Sequence, residues 1–209
     1  MSVLDQLACS LGRRDEVPNQ DLARRLVETE DRSGIREVAE NLANKDKNIR
    51  FDCIKVLYEV GYLKPELVAA YALDFLKLLK SRENRLVWGG MIALSTVGAL
   101  AADELFPHVT EIQKAMDGGS VITRDGGVLA LAGIASRKPA YNRAIFPYLL
   151  DHLRTCRPKD VPQHCEKILL TVNAENKAGF ISVLEKRLEN LQGAQVRRVW
   201  KVIQQAQQR

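Results

Sequence analysis

Apolar and polar residues alternate along the chain at helical spacing, and the alternation itself repeats. In the stretch Arg85 to Gly98 (RLVWGGMIALSTVG), Gly90, Leu94 and Val97 stand at spacings of four and three, which is one face of an α-helix. A shift of about 37 residues toward the N-terminus brings Cys53, Leu57 and Val60 onto the same positions. The same shift the other way brings Gly127, Leu131 and Ile134, and one further step brings Cys165, Leu169 and Val172. Each set is one small residue followed by two aliphatic ones. A second ladder runs between these sets: Val38, Phe75 and Ile112, and beside them Leu42, Leu79 and Met116, at the same step. A fixed period in this range predicts helical hairpins stacked in one direction, each touching only its neighbours. The fold class expected is all-α, a right-handed α-solenoid of two-helix repeats.

The first ladder marks inner helices and the second marks outer helices, joined by the short polar turns NKDKN, KSREN, DGGS, RPKD and QGA. The prolines of LFPHV and IFPYL are expected in the first turns of outer helices running from Leu105 to Asp117 and from Ile145 to Cys156. A missing amide costs little there, because first-turn amides have no helical partner. Residues 2–11 predict a short amphipathic helix ended by Gly12, and GRRDEVPN predicts a polar linker. A helix over 19–29 carries Leu22, Leu26 and Val27. Neither helix follows the frame of the ladder, so residues 1–32 are expected to cap an array that occupies 33–209 as a single continuous domain. Helices from Gly179 to Leu191 and from Val196 to Gln208 close it, with Trp200 in the place of the small ladder residue.

The outer-helix Phe-Pro, the turn aspartates Asp46, Asp117 and Asp160, and the pairs Ile49-Arg50 and Val196-Arg197 resemble HEAT repeats. The resemblance covers roughly residues 33–208. It implies a packing scheme, in which Arg50, Arg124 and Arg197 would bond turn aspartates, and leaves activity almost unspecified. Armadillo repeats would need a third short helix per unit, for which the turns leave no room.

Composition narrows the setting. No apolar run in the 209 residues reaches the length that spans a bilayer, and the basic residues of the N-terminus follow its apolar ones, the reverse of a secretory signal. Four cysteines without a CxxC pair signal neither a zinc ribbon nor a redox centre. A cytoplasmic protein is expected. A net charge of +5 permits an acidic partner without requiring one.

The wall opposite the inner ladder carries the strongest candidates. Phe51, Lys55 and Tyr58, then Arg85, Trp88 and Ile92, then Asp125 and Leu129, then Lys167 fall on neighbouring columns of successive inner helices. An apolar strip rimmed by cations suits a protein or peptide partner on a concave face. A second candidate is charge. The outer-to-inner turns hold twelve basic residues between Lys45 and Arg198 against five acidic ones, a row that could follow a phosphate backbone. HEAT-like glycosylases that remove alkylated bases use a tryptophan and a carboxylate on a basic concave wall. Trp88 and Asp125 occupy equivalent positions here, but no local motif matches theirs. A third candidate is metal: His152, Cys156, His164 and Cys165 lie close together in the chain. Cys165 belongs to the core ladder, so the adjacent His164 is expected to face elsewhere, and structural histidines with a buried thiol are expected instead. No phosphate loop, small-molecule substrate site, cofactor site or catalytic arrangement is legible. The sequence therefore reads as a non-enzymatic binding scaffold, with nucleic-acid binding as the alternative.

Overall fold

The computed structural model describes residues 2–209, and among these no strand forms. The chain opens with a 3-10 turn at Val3–Gln6 and continues through α1 (Val17–Glu28), α2 (Arg32–Glu40), α3 (Lys47–Leu63), α4 (Ala72–Leu78) and α5 (Asn84–Val97). It goes on through α6 (Ala102–Leu105), α7 (Val109–Gly118), α8 (Val121–Ala135), α9 (Pro139–Thr155), α10 (Val161–Ile168), α11 (Lys177–Leu188) and α12 (Ala194–Gln207). Helices α1, α3, α5, α8, α10 and α12 lie side by side as an inner row, each against the next. The outer row is the opening turn with α2, α4, α7, α9 and α11, each packed on the inner helix that follows it.

Both ladders are the core. Cys53, Leu57, Val60, Leu94, Val97, Leu131, Ile134, Cys165, Leu169 and Val172 are buried, and so are Val38, Phe75, Ile112 and Met116 of the outer row. Gly90 shows why the first rung is small. A Cβ added there would stand 2.8 Å from the Phe75 carbonyl oxygen and 2.9 Å from Leu78 Cβ, so inner and outer helices meet almost backbone to side chain. At Gly127 an added Cβ would meet Met116 at 3.0 Å. The glycine pairs Gly89-Gly90 and Gly126-Gly127 give up helix propensity in exchange for this approach.

The ends also follow the ladder, at a shorter step. In α12 the inward residues are Val199, Ile203 and Ala206, all buried, while Trp200 is 46% exposed. The expectation that Trp200 takes the small position is thus one residue out of register. In α1 the buried trio is Asn19, Ala23 and Leu26. Both trios keep the four-three spacing, and each stands a little closer in sequence to its neighbour, Cys165 or Cys53, than the ladder step would place it. Within the segment expected as a cap, α1 thus carries the same buried spacing as the array. The first helix of that segment is a 3-10 turn rather than the α-helix expected over 2–11, and Gly12 ends the turn region at φ 66°.

Two further expectations fail for identifiable reasons. The fourth outer helix begins at Pro139, so Pro147 lies in its interior; its absent amide leaves the carbonyl of exposed Arg143 to solvent. The outer segments of the second and third full units are also broken. Lys64-Pro65 starts a pair of 3-10 turns before α4, and α6 with a 3-10 turn at Phe106–His108 precedes α7. A third short helical piece does fit in these units, contrary to the spacing argument against armadillo-type repeats.

The HEAT-like arginine pattern is altered as well. Arg50 donates to the carbonyls of Asn44 (2.6 Å) and Lys45 (3.1 Å) and pairs with Glu83 at 2.9 Å, while Arg124 reaches the Asp117 carbonyl oxygen rather than its carboxylate. Asp46 instead caps α3, accepting from the Asn48 amide at 2.8 Å.

Close row-to-row packing makes the glycines unequal. Gly90→Ala is expected to destabilise by about 1–2 kcal/mol, the crowding penalty less the gain in helix propensity. Gly118→Ala, at the end of α7 where nothing lies within 4 Å of an added Cβ, is expected to stabilise by about 0.4–1 kcal/mol. Urea unfolding midpoints of the two variants test the contrast, and equal effects would refute it.

Candidate concave binding face

The faces of α3, α5, α8 and α10 that point away from the ladder form one wall. At its N-terminal end the aromatic side chains interlock. Tyr58 and Trp88 have ring centroids 6.4 Å apart, and Tyr62 packs edge-on to Tyr58 at 6.0 Å. Phe51, Trp88 and Ile92 are half-buried, resting on the core with one side toward solvent, and Leu129 is half-buried beyond them. Tyr58 and Lys55 are buried, at 5% and 6% exposure.

A counter-ion that local sequence does not reveal explains how Lys55 is tolerated there. The segment 13–16 folds back over α3 and α5, and Glu16 pairs with Lys55 Nζ at 2.7 Å and with Arg85 at 3.6 Å. Glu59, one turn along α3, pairs with Lys55 at 2.7 Å as well. Burial alone would lower the Lys55 pKa, but the bonds to Glu16, Glu59 and Tyr58 outweigh it and hold the ammonium above its usual range. Lys55 also lies 4.8 Å from the Tyr58 ring centroid, and the Arg85 guanidinium 5.2 Å from that of Phe51. Lys55, expected to meet a partner's acidic rim, is thus satisfied within the chain. Beside it the back-folded segment and Phe51, Asp52 and Arg85 line an open cavity of about 360 Å³.

At the other end of the wall, Asp125 is half-buried and accepts from His164 Nε2 at 2.7 Å, while Lys167 Nζ donates to the Asp125 carbonyl at 2.8 Å. His164 Nδ1 lies 2.9 Å from His152 Nε2. Burial pushes the pKa of both histidines down, His152 to about 4, with the neighbouring His164 adding to the effect. Asp125 is therefore engaged with His164 while Trp88 sits among the aromatic side chains of α3. The pairing that the glycosylase comparison needs is not assembled by any bond between them.

The basic row along the outer-to-inner turns is half neutralised. Arg50, Lys80, Arg85, Arg154, Arg157 and Arg198 each pair with a carboxylate. Among the described residues no helix is long and apolar enough to cross a membrane.

No family model matches the chain, and no curated protein matches it by sequence. Its fold does match solved structures. An engineered protein is similar over 100% of this chain and 98% of its own, with a TM-score of 0.70 at 16% identity. Computationally designed armadillo repeat proteins for modular peptide recognition give a TM-score of 0.68 at 17% identity, covering 99% and 97% of the two chains. A designed armadillo repeat protein in complex with the peptide (KR)4 gives 0.67 at 16% identity over 90% and 85%. The chain is an all-helical repeat solenoid of armadillo-like architecture.

The depressed histidines link stability to pH. Unfolded histidine titrates near 6.5, so between that value and about 4 the unfolded chain binds more protons than the folded one. Stability is therefore expected to fall as pH drops from about 6.5 toward 4. Urea midpoints measured across this range in EDTA-containing buffer should show the slope, and His152→Gln should flatten it. A slope unchanged by that substitution would contradict the assignment.

Proposed function

We propose that the chain is a non-enzymatic binding module that holds a protein or peptide segment along the inner-helix wall. The observation that carries this is the half-exposed strip of Phe51, Trp88, Ile92 and Leu129 across three adjacent inner helices. Phe51, Trp88 and Ile92 are anchored on the core and only partly buried, and Leu129 is half-buried beyond them. A partly exposed aromatic held by its neighbours loses little freedom on binding, which is why such residues dominate interface energetics. Arg85, held only loosely by Glu16 at 3.6 Å, and Lys167, bonded to the Asp125 carbonyl, flank the strip and suit carboxylates on a partner, whereas Lys55 supports the wall from beneath. The solved structures of similar fold include peptide-recognising designs, which makes a peptide a fitting occupant; the fold itself does not dictate function. A reducing, cytoplasmic setting accords with the four free cysteines.

Selection of binders from a displayed peptide library tests the proposal. Peptides retained by the wild-type chain are expected to lose at least about tenfold in affinity to Trp88→Ala, corresponding to a truncated anchor worth roughly 2 kcal/mol. The same variant should keep a wild-type circular dichroism spectrum and a cooperative unfolding transition. Retention of full affinity by Trp88→Ala would place the partner elsewhere. Salt-sensitive binding to short duplex DNA, abolished by charge reversal at Lys45 and Lys47, would shift the function to the turn edge.

A further inference from the structure

The turn between α9 and α10 gathers chemistry that the binding wall does not use. His152 and Cys156 stand one helical turn apart at the end of α9, so both project toward the start of α10, where His164 is buried at 1% exposure. One nitrogen of each imidazole and the Cys156 sulfur all lie within 4.8 Å of one another. Cys165 takes no part: it is fully buried in the ladder and donates to the Pro162 carbonyl. The four-residue set suggested by spacing thus resolves into three convergent donors.

We propose that His152 Nε2, His164 Nδ1 and Cys156 Sγ form a binding site for Zn²⁺. Two imidazoles and a thiolate are the donors this ion prefers over harder cations. The distances are close to what it requires. Nitrogens bound at about 2.0–2.1 Å on a tetrahedral ion stand about 3.3 Å apart, and the two here are 2.9 Å apart, so they part by a few tenths of an ångström. Cys156 Sγ, within 4.8 Å of both nitrogens, moves inward to take the third corner.

The surroundings support the assignment independently. His164 presents Nε2 to the Asp125 carboxylate at 2.7 Å, which fixes its tautomer with the Nδ1 lone pair turned toward His152. A carboxylate behind a histidine in this way orients the ring and raises its basicity as a ligand. Burial keeps both imidazoles neutral, as a metal ligand must be. The donors border a cavity of about 190 Å³ that Asp117, Arg124, Arg157 and Asp160 also line, leaving room for water at the fourth position. Asp117 accepts from the Tyr148 hydroxyl and Asp160 pairs with Arg157, so both carboxylates at the rim are held by neighbours.

Loading the site is an exchange of protons for metal with no change of oxidation state. The proton on His152 Nε2, which faces His164 in the metal-free arrangement, moves to Nδ1. Burial pushes the Cys156 thiol up to about 11, so its proton leaves to solvent only as the sulfur–zinc bond forms. The ion then joins the outer and inner helices of one hairpin, and because it binds the folded chain it raises stability by mass action.

Cobalt serves as the spectroscopic probe. Full-length protein stripped with EDTA and titrated with Co²⁺ is expected to develop a thiolate-to-cobalt charge-transfer band in the near ultraviolet, saturating at one equivalent. Added Zn²⁺ should then bleach it. Cys156→Ser should abolish the band, while Cys9→Ser, remote from the site, should leave it unchanged. Asp125→Asn should weaken Zn²⁺ binding by about 10–100-fold, and His152→Asn by at least as much. Circular dichroism of Cys156→Ser and His152→Asn, both altered at half-buried positions, separates lost binding from lost folding. No charge-transfer band, uptake beyond one equivalent without saturation, or a band that survives Cys156→Ser would each overturn the site.

Discussion

The smallness of one residue per inner helix sets the spacing of the whole solenoid. Where Gly90 meets the Phe75 carbonyl, no atom separates the helices beyond the glycine Cα itself. That close approach sets the distance between the rows, with Leu94, Val97 and Phe75 buried between them. Where the rung is larger, as with buried Asn19 and Val199, the step in sequence is shorter. A repeat protein is a chain of nearest-neighbour interfaces, so relaxing the spacing in one unit is felt in the next.

With one side of each inner helix committed to this contact, the other side is left to the concave wall. The wall is built from the same register: Trp88 and Ile92 flank Gly90 in sequence and face away from it in space. The chain then covers part of its own wall. Glu16 reaches across two repeats to Lys55 and Arg85, which satisfies a buried ammonium that an apolar wall would otherwise exclude. The half-buried strip of Phe51, Trp88, Ile92 and Leu129 is what remains for the proposed partner.

The periodic part of this architecture is legible from spacing, because a buried rung restricts residue type at each repeat. The ladder residues from Cys53 to Val172 are core as their pattern implies. What spacing misses is where the period changes or where contacts run between distant segments. The trio Asn19, Ala23 and Leu26 is hidden by its shorter offset, and the register at Trp200 slips by one for the same reason. Pro147 points to a helix start because an interior proline is costly, yet Pro147 and Arg143, whose carbonyl loses its amide partner, both lie at exposed positions of α9. The burial of Lys55 depends on Glu16, far upstream in a segment that reads as a polar linker. At His164 spacing shows that the side chain departs from its core neighbour Cys165, but not that it turns to Asp125 and His152. In α10 the two side chains diverge, and both are buried, one in the ladder and one against Asp125.

The inner row is the core of the solenoid and, as proposed, its binding surface. Amide hydrogen exchange, with and without a peptide selected by the wild-type chain, measures this directly. Added protection is expected in α3, α5 and α8 and in the segment 13–16 that lies over them, with the outer helices α2, α4 and α7 unchanged. Protection confined to the outer helices or to the basic turns would contradict it.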